Sequence, residues 1–122
     1  MDDAGELALV RAALADPVSN SVRWAGGVTA RMSRDLDLDG LQPIGVREAL
    51  RAHARSGGRI VQKVETWEPY KDQHRFCYEV LLEFDFIARP VFVEMRYTGI
   101  DPDLPQVSLV SVHTSFKDKS RP

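Results

Sequence analysis

The hydrophobic period of this chain changes once, at Gly57-Gly58, and that break limits the possible folds more than any other feature. Before it, apolar residues recur at helical spacing. After it, every second residue is apolar. Helical stripes and alternating strands bury their apolar side chains in different ways, so the two halves must form different elements and share a core between them. Helices first and strands after is the α+β pattern.

In the first half, Leu7, Val10 and Leu14 lie one above the other on a helix, and Asp16-Pro17 ends it, because a residue before proline is pushed out of the α region. Val18–Gly27 reads as a loop, and a short helix is expected over Val28–Asp35. A stronger helix runs from Pro43 to Arg55, with proline in its first turn and Gly57-Gly58 as its stop. Its inner face is Val46, Ala49, Leu50 and His53. Four strand-like runs follow, Arg59–Trp67, Arg75–Phe86, Pro90–Thr98 and Val107–Phe116, joined by short or turn-rich connections. The expected fold is N-terminal helices followed by a four-stranded antiparallel β-meander, with the helices packed on one sheet face. It forms one domain over 1–122: helical 1–58, antiparallel sheet 59–116 and a short basic tail 117–122.

Alternation sorts the faces. Phe76, Tyr78, Val80, Leu82, Phe84 and Phe86 on the second strand, with Val91, Val93, Met95 and Tyr97 on the third, form the expected core rows. Cys77, Glu79, Leu81, Phe92, Glu94 and Arg96 face the other way. The last strand has two comparable rows, and the more apolar one near its end, Val110, Val112, Thr114 and Phe116, puts His113 on the polar face.

Composition narrows the function classes. The single cysteine, Cys77, excludes an internal disulfide and a multi-cysteine zinc site, and suits a reducing cytoplasm. No apolar run is long enough to cross a bilayer, and no signal-peptide pattern precedes Asp2 and Asp3, so no membrane association is expected. With 16 Lys+Arg against 18 Asp+Glu the formal charge is −2, and neither half is a basic module. Positive charge is local, in Arg47, Arg51 and Arg55 and in the tail residues Lys117, Lys119 and Arg121. Any RNA contact must therefore come from a small patch, and a protein partner or a homodimer stands beside RNA as the expected partner.

Several constellations bear on chemistry. Asp35, Asp37, Asp39 and Gly40 match the start of an EF-hand loop, but Pro43 and Val46 stand where later ligands belong, so the run reads as a solvated turn. No metal and no cofactor is expected. Arg47, Arg51 and Arg55 share one helix face, where like charges repel, which suits an anionic partner such as phosphate. Trp67, Tyr70 and His74 lie in or beside the first hairpin and can stack on a base or pack over the sheet edge. Cys77 and His53 read as packing residues. On the polar sheet face, Glu79, Glu94, Arg96 and His113 come from three successive strands, with Lys63 from the first. A carboxylate, a guanidinium and an imidazole in one cleft can cleave RNA without metal. Either Glu79 or Glu94 takes the 2′-hydroxyl proton, His113 protonates the leaving 5′-oxygen, and Arg96 holds the phosphate.

Glu79, Arg96 and His113 follow one another on consecutive expected strands, after Ala30-Arg31-Met32-Ser33-Arg34 on a helix and with Val112-His113-Thr114-Ser115 on the last strand. In these respects residues 20–116 resemble the superfamily of small ribonucleases and toxins that groups barnase, EndoU, colicin D and RelE. The resemblance implies helices before a four-stranded antiparallel sheet and a Glu–Arg–His site. A histidine four residues before the position of Arg31 is common there, and Gly27 stands in its place.

Two functions follow as expectations. One is a toxin-like, metal-independent endoribonuclease with Glu79, Arg96 and His113 as catalytic residues and Arg47, Arg51, Arg55 and Lys63 on the phosphates. The other is a non-catalytic protein-binding module: an inactivated relative, an immunity-type partner or a subunit of a larger assembly. Its sheet face would then be the interface, anchored by Leu81, Phe92 and Trp67.

Overall fold

The computed structural model describes residues 2–15 and 21–114. The expected helix stop at Asp16-Pro17, the end of the last strand at Ser115 and Phe116, and the basic tail lie outside the described residues. Within them the class is α+β. Helices α1 (Asp3–Ala15), α2 (Val28–Arg34) and α3 (Pro43–Arg55) precede most of a five-stranded sheet. Its strands are β1 (Val22–Trp24), β2 (Val61–Val64), β3 (Phe76–Leu82), β4 (Val91–Tyr97) and β5 (Val107–Thr114), in the order β1-β5-β4-β3-β2.

The expected four-stranded antiparallel meander is corrected in one respect. β2 to β5 form that meander, but β1 adds a fifth strand, parallel to β5, with Val22 opposite Val107 and Trp24 opposite Leu109. The sheet is therefore mixed. Three residues are too few to show alternation, so β1 reads as loop until β5 offers it an edge to pair with. The strands are also shorter than their apolar runs. Arg59 and Ile60 precede β2, and Phe84 and Phe86 lie beyond β3, so the core row ends early: Phe84 is only partly buried, and Phe86 is exposed beside Gly40 at φ +89°.

The core sits between the sheet and the paired helices α1 and α3. Val10, Ala13 and Leu14 of α1 and Val46, Leu50 and Ala54 of α3 meet Tyr78, Val80, Val93, Met95 and Leu109. Ala49 and His53 are only half-buried. Ala54 takes the inner position expected of His53, whose Nε2–H instead donates to the Arg59 carbonyl (2.7 Å). Arg11 crosses from α1 and caps the end of α3, donating to the carbonyls of Ala54 (3.2 Å) and Gly58 (2.8 Å).

The two rows of β5 are reconciled by a bulge. Glu94 faces Ser111 and Met95 faces Leu109, so Val110 is the extra residue. Val107 and Leu109 face the helices before the bulge, and Val112 and Thr114 after it. His113 consequently lies on the face away from the helices, beside Phe92.

One buried polar knot ties α1 to the sheet. The Tyr78 hydroxyl donates to Glu6 Oε1 (2.6 Å) and accepts from Gln62 Nε2 (3.0 Å), which also reaches the Asp3 carbonyl (2.9 Å). Burial, then the Glu6 hydrogen bond, raises the Tyr78 pKa well above the ordinary 10.0. A group raised on folding stabilises fully below its unfolded pKa and loses that contribution as pH rises toward the folded one. Stability is therefore predicted to fall above about pH 10. Tyr78→Phe should cost about 1–3 kcal/mol in urea unfolding at neutral pH, because Glu6 and Gln62 lose their shared partner, and should lessen the alkaline loss. An unchanged urea midpoint would show that the knot adds nothing.

Candidate functional site

With the helices on one face, the other face is open to whatever the connections place over it. Near β2, Val61, Leu81 and Phe92 stay partly or largely exposed. They line a shallow groove of about 280 Å3 together with His53, Arg59 and Glu79. At the other end the β2–β3 connection folds back over the face. This strap, residues 65–74, contains the single helical turn α4 (Glu68–Lys71) where the sequence suggests a plain hairpin turn. Its base is closed by the Glu65 amide donating to the Arg75 carbonyl (2.9 Å).

The strap buries Arg96, a β4 residue that points at solvent in a bare sheet. Glu65 Oε1 forms an ion pair with Arg96 Nε, and both side chains are 3% exposed. Glu94 Oε2 lies 3.1 Å from Arg96 Nη1. The guanidinium stacks on the Tyr70 ring at 4.6 Å, an arrangement favoured by the ring quadrupole. Neither Nε nor Nη1 makes a well-aligned hydrogen bond, so the contacts are mainly of charge. The second oxygen of Glu65 accepts from the Trp67 amide (3.2 Å), which turns the chain into α4. Trp67 then packs on Tyr70 (5.2 Å between centroids) but remains 60% exposed.

A cleft of about 430 Å3 opens beside this pair, within the ~300–1,000 Å3 range of small-ligand sites. Glu94, Arg96, Val110 and Ser111 lie on the sheet side, Trp67 and Tyr70 on the strap, and Ala25, Gly26 and Arg31 across from them. Arg31 folds back from α2 toward Gly27, whose φ of +83° makes the turn: a Cβ there would stand 3.0 Å from Arg31 Nη1. Among the described residues Arg31 has no acidic partner within ion-pair distance.

The proposed catalytic residues do not meet in this cleft. Glu79 stands opposite Glu94 and pairs with Lys63 (3.0 Å), a hydrogen bond that raises the lysine pKa. His113 stands opposite Phe92, with ring centroids 5.8 Å apart, and its Nδ1 lies 2.9 Å from the Thr114 carbonyl. Arg96 stands opposite Ser108, four residues along β4 from Phe92, a separation of roughly 13 Å at strand rise. The structure thus brings Glu94 to Arg96, and leaves Glu79 with Lys63 and His113 with Phe92.

The arginine row lies apart from this cleft. Arg51 pairs with Glu48 (3.2 Å), Arg55 Nε donates to the Ala15 carbonyl at the end of α1 (3.2 Å), and Arg47 is half-buried. All three ride on α3, behind the sheet, whereas Lys63 lies on the open face. The acidic run becomes a 3-10 turn (Leu36–Leu38) capped by Asp35, which accepts from the Asp37 amide (2.9 Å). Cys77 is buried, and that burial pushes its thiol pKa up. Arg31, Glu65 and Ser111 were missed as site residues. Glu65 carries one signal in the sequence, a charge in a strand-like run only two residues from Trp67.

No helix among the described residues is long and apolar enough to cross a membrane. No protein-family model, curated protein or solved structure was found to match the chain.

Removing one member of a buried pair leaves the other charge uncompensated. Arg96→Met is predicted to destabilise the protein by about 3–5 kcal/mol in urea unfolding, and adding Glu65→Leu should recover most of that loss. A single-variant loss below about 1 kcal/mol would show that the strap is held by something else.

Proposed function

We propose that the chain acts on RNA as a toxin-like, metal-independent endoribonuclease, and that its site is the cleft at Arg96. The reading is supported above all by one observation: a carboxylate, Glu94, is held against the buried Arg96 beside an open cleft, between the exposed Trp67 and an arginine, Arg31, with no acidic partner among the described residues. Trp67 offers a face to an unpaired base. Arg31 offers charge to the phosphate. Glu94 is the base that takes the 2′-hydroxyl proton. The 2′-oxygen then attacks phosphorus, and the 5′-oxygen leaves with a proton from solvent, giving a 2′,3′-cyclic phosphate. Glu79 and His113 take no part, which replaces the Glu79–Arg96–His113 assignment.

The test is cleavage of a single-stranded RNA by the purified protein beside its variants. Glu94→Gln should abolish cleavage and His113→Ala should leave it. Trp67→Ala should weaken RNA binding about tenfold, since stacking contributes about 1–3 kcal/mol per base. Arg31→Ala should flatten the dependence of log Kd on log salt by about 0.7. Absence of both cleavage and salt-dependent binding in the wild type would reject the reading.

A second reading, the non-catalytic protein-binding module, draws support from the exposed Val61, Leu81 and Phe92 on the open face. It is tested by mass in solution: a dimer or complex that Leu81→Asp dissociates would favour it, and a monomer would count against it.

A further inference from the structure

We infer that Glu65 is a built-in competitor for RNA phosphate at Arg96, and that RNA engages this arginine by displacing the Glu65 carboxylate and lifting the strap. The inference rests on the RNA reading and names how that same site is regulated. As the chain stands, Arg96 is too buried to touch a ligand, with its side chain 3% exposed under Glu65 and Tyr70. Two carboxylates share one guanidinium, so Arg96, Glu65 and Glu94 together carry a net negative charge that repels phosphate. Exchanging the Glu65 carboxylate for a phosphate keeps the same kind of bond, since both offer paired oxygens to the guanidinium fork.

The strap is built lightly enough to lift. It holds one helical turn, and Thr66, Trp67, Glu68, Lys71, Asp72 and Gln73 are all exposed. Little apolar surface is therefore lost on opening, which is typical of segments that open locally. Lys71 pairs with Glu68 inside the strap (2.6 Å) and does not tie it to the sheet. Among the described side chains, the strap is tied to the sheet by the Glu65–Arg96 pair and the Tyr70–Arg96 stack, both on the residue the phosphate would take, while the Glu65 amide on the Arg75 carbonyl holds its base as a hinge.

The experiment compares wild type with Glu65→Gln, which keeps an oxygen for the Trp67 amide and removes the charge. Affinity for a fluorescent single-stranded RNA should rise about threefold or more, the effect of deleting one like charge some 6 Å away in water. The log Kd–log salt slope should steepen by about 0.7. Inorganic pyrophosphate, followed by calorimetry, should bind the variant more tightly than the wild type. Equal RNA binding by both proteins overturns the inference and leaves the RNA reading standing. Pyrophosphate gained by the variant with no RNA bound by either supports the competitor and rejects the RNA reading. A folded variant that gains neither ligand overturns the inference. Should Glu65→Gln fail to fold, hydrogen exchange in the wild type decides: saturating RNA should speed exchange of the Trp67 amide, and slowed exchange overturns the displacement.

Discussion

Among the described residues only one face of the sheet is closed by helices, and the rest of the molecule is organised by that asymmetry. Tyr78, Val80, Val93, Met95 and Leu109 lie beneath α1 and α3 with almost no exposure. Each large apolar side chain so buried contributes about 1.5–3 kcal/mol. Because side chains alternate, fixing these rows inward fixes Glu79, Leu81, Phe92, Glu94 and Arg96 outward. The open face is thus a by-product of the core, and its chemistry depends on what the connecting segments lay over it.

The strap divides that face in two. Under it, Arg96 becomes a buried charge that requires Glu65 and Glu94; beyond it, Val61, Leu81 and Phe92 stay in contact with water. Burying an ion pair rarely adds net stability, since desolvation opposes the attraction. A more natural role for such a pair is to fix one arrangement of the strap, which sets where Trp67 and Tyr70 stand. Several cations meanwhile have structural duties: Arg11 caps α3, Arg55 reaches the end of α1, and Lys63 pairs with Glu79.

What could be read from the sequence was whatever a period or a stop residue encodes locally. α3 spans Pro43–Arg55 because Pro43 opens it and Gly57 closes it, and both signals are local. The facing of β3 and β4 follows directly from alternation. β1 could not be read, since three residues form a strand only through a parallel partner far along the chain. The bulge at Val110 could not be read either, although the two competing rows of β5 were its trace. The site was the least legible part. Residue types suggested a Glu–Arg–His set, but register decides which residues are neighbours, and register is set by pairing across strands. It gives Phe92 to His113 and Ser108 to Arg96.

The parallel pairing of β1 with β5 has a temporal consequence. Residues 22–24 are made early but find their partners at 107–109, among the last described segments to be synthesised. Until then Ala25, Gly26 and Arg31 have no strand to hold them across from Glu94 and Arg96, because β5, with Val110 and Ser111, does not yet exist. Contacts so distant along the chain form late and close a long loop. The cleft is completed only when β5 is added, because that strand supplies Val110 and Ser111 and pairs with the strand before Ala25.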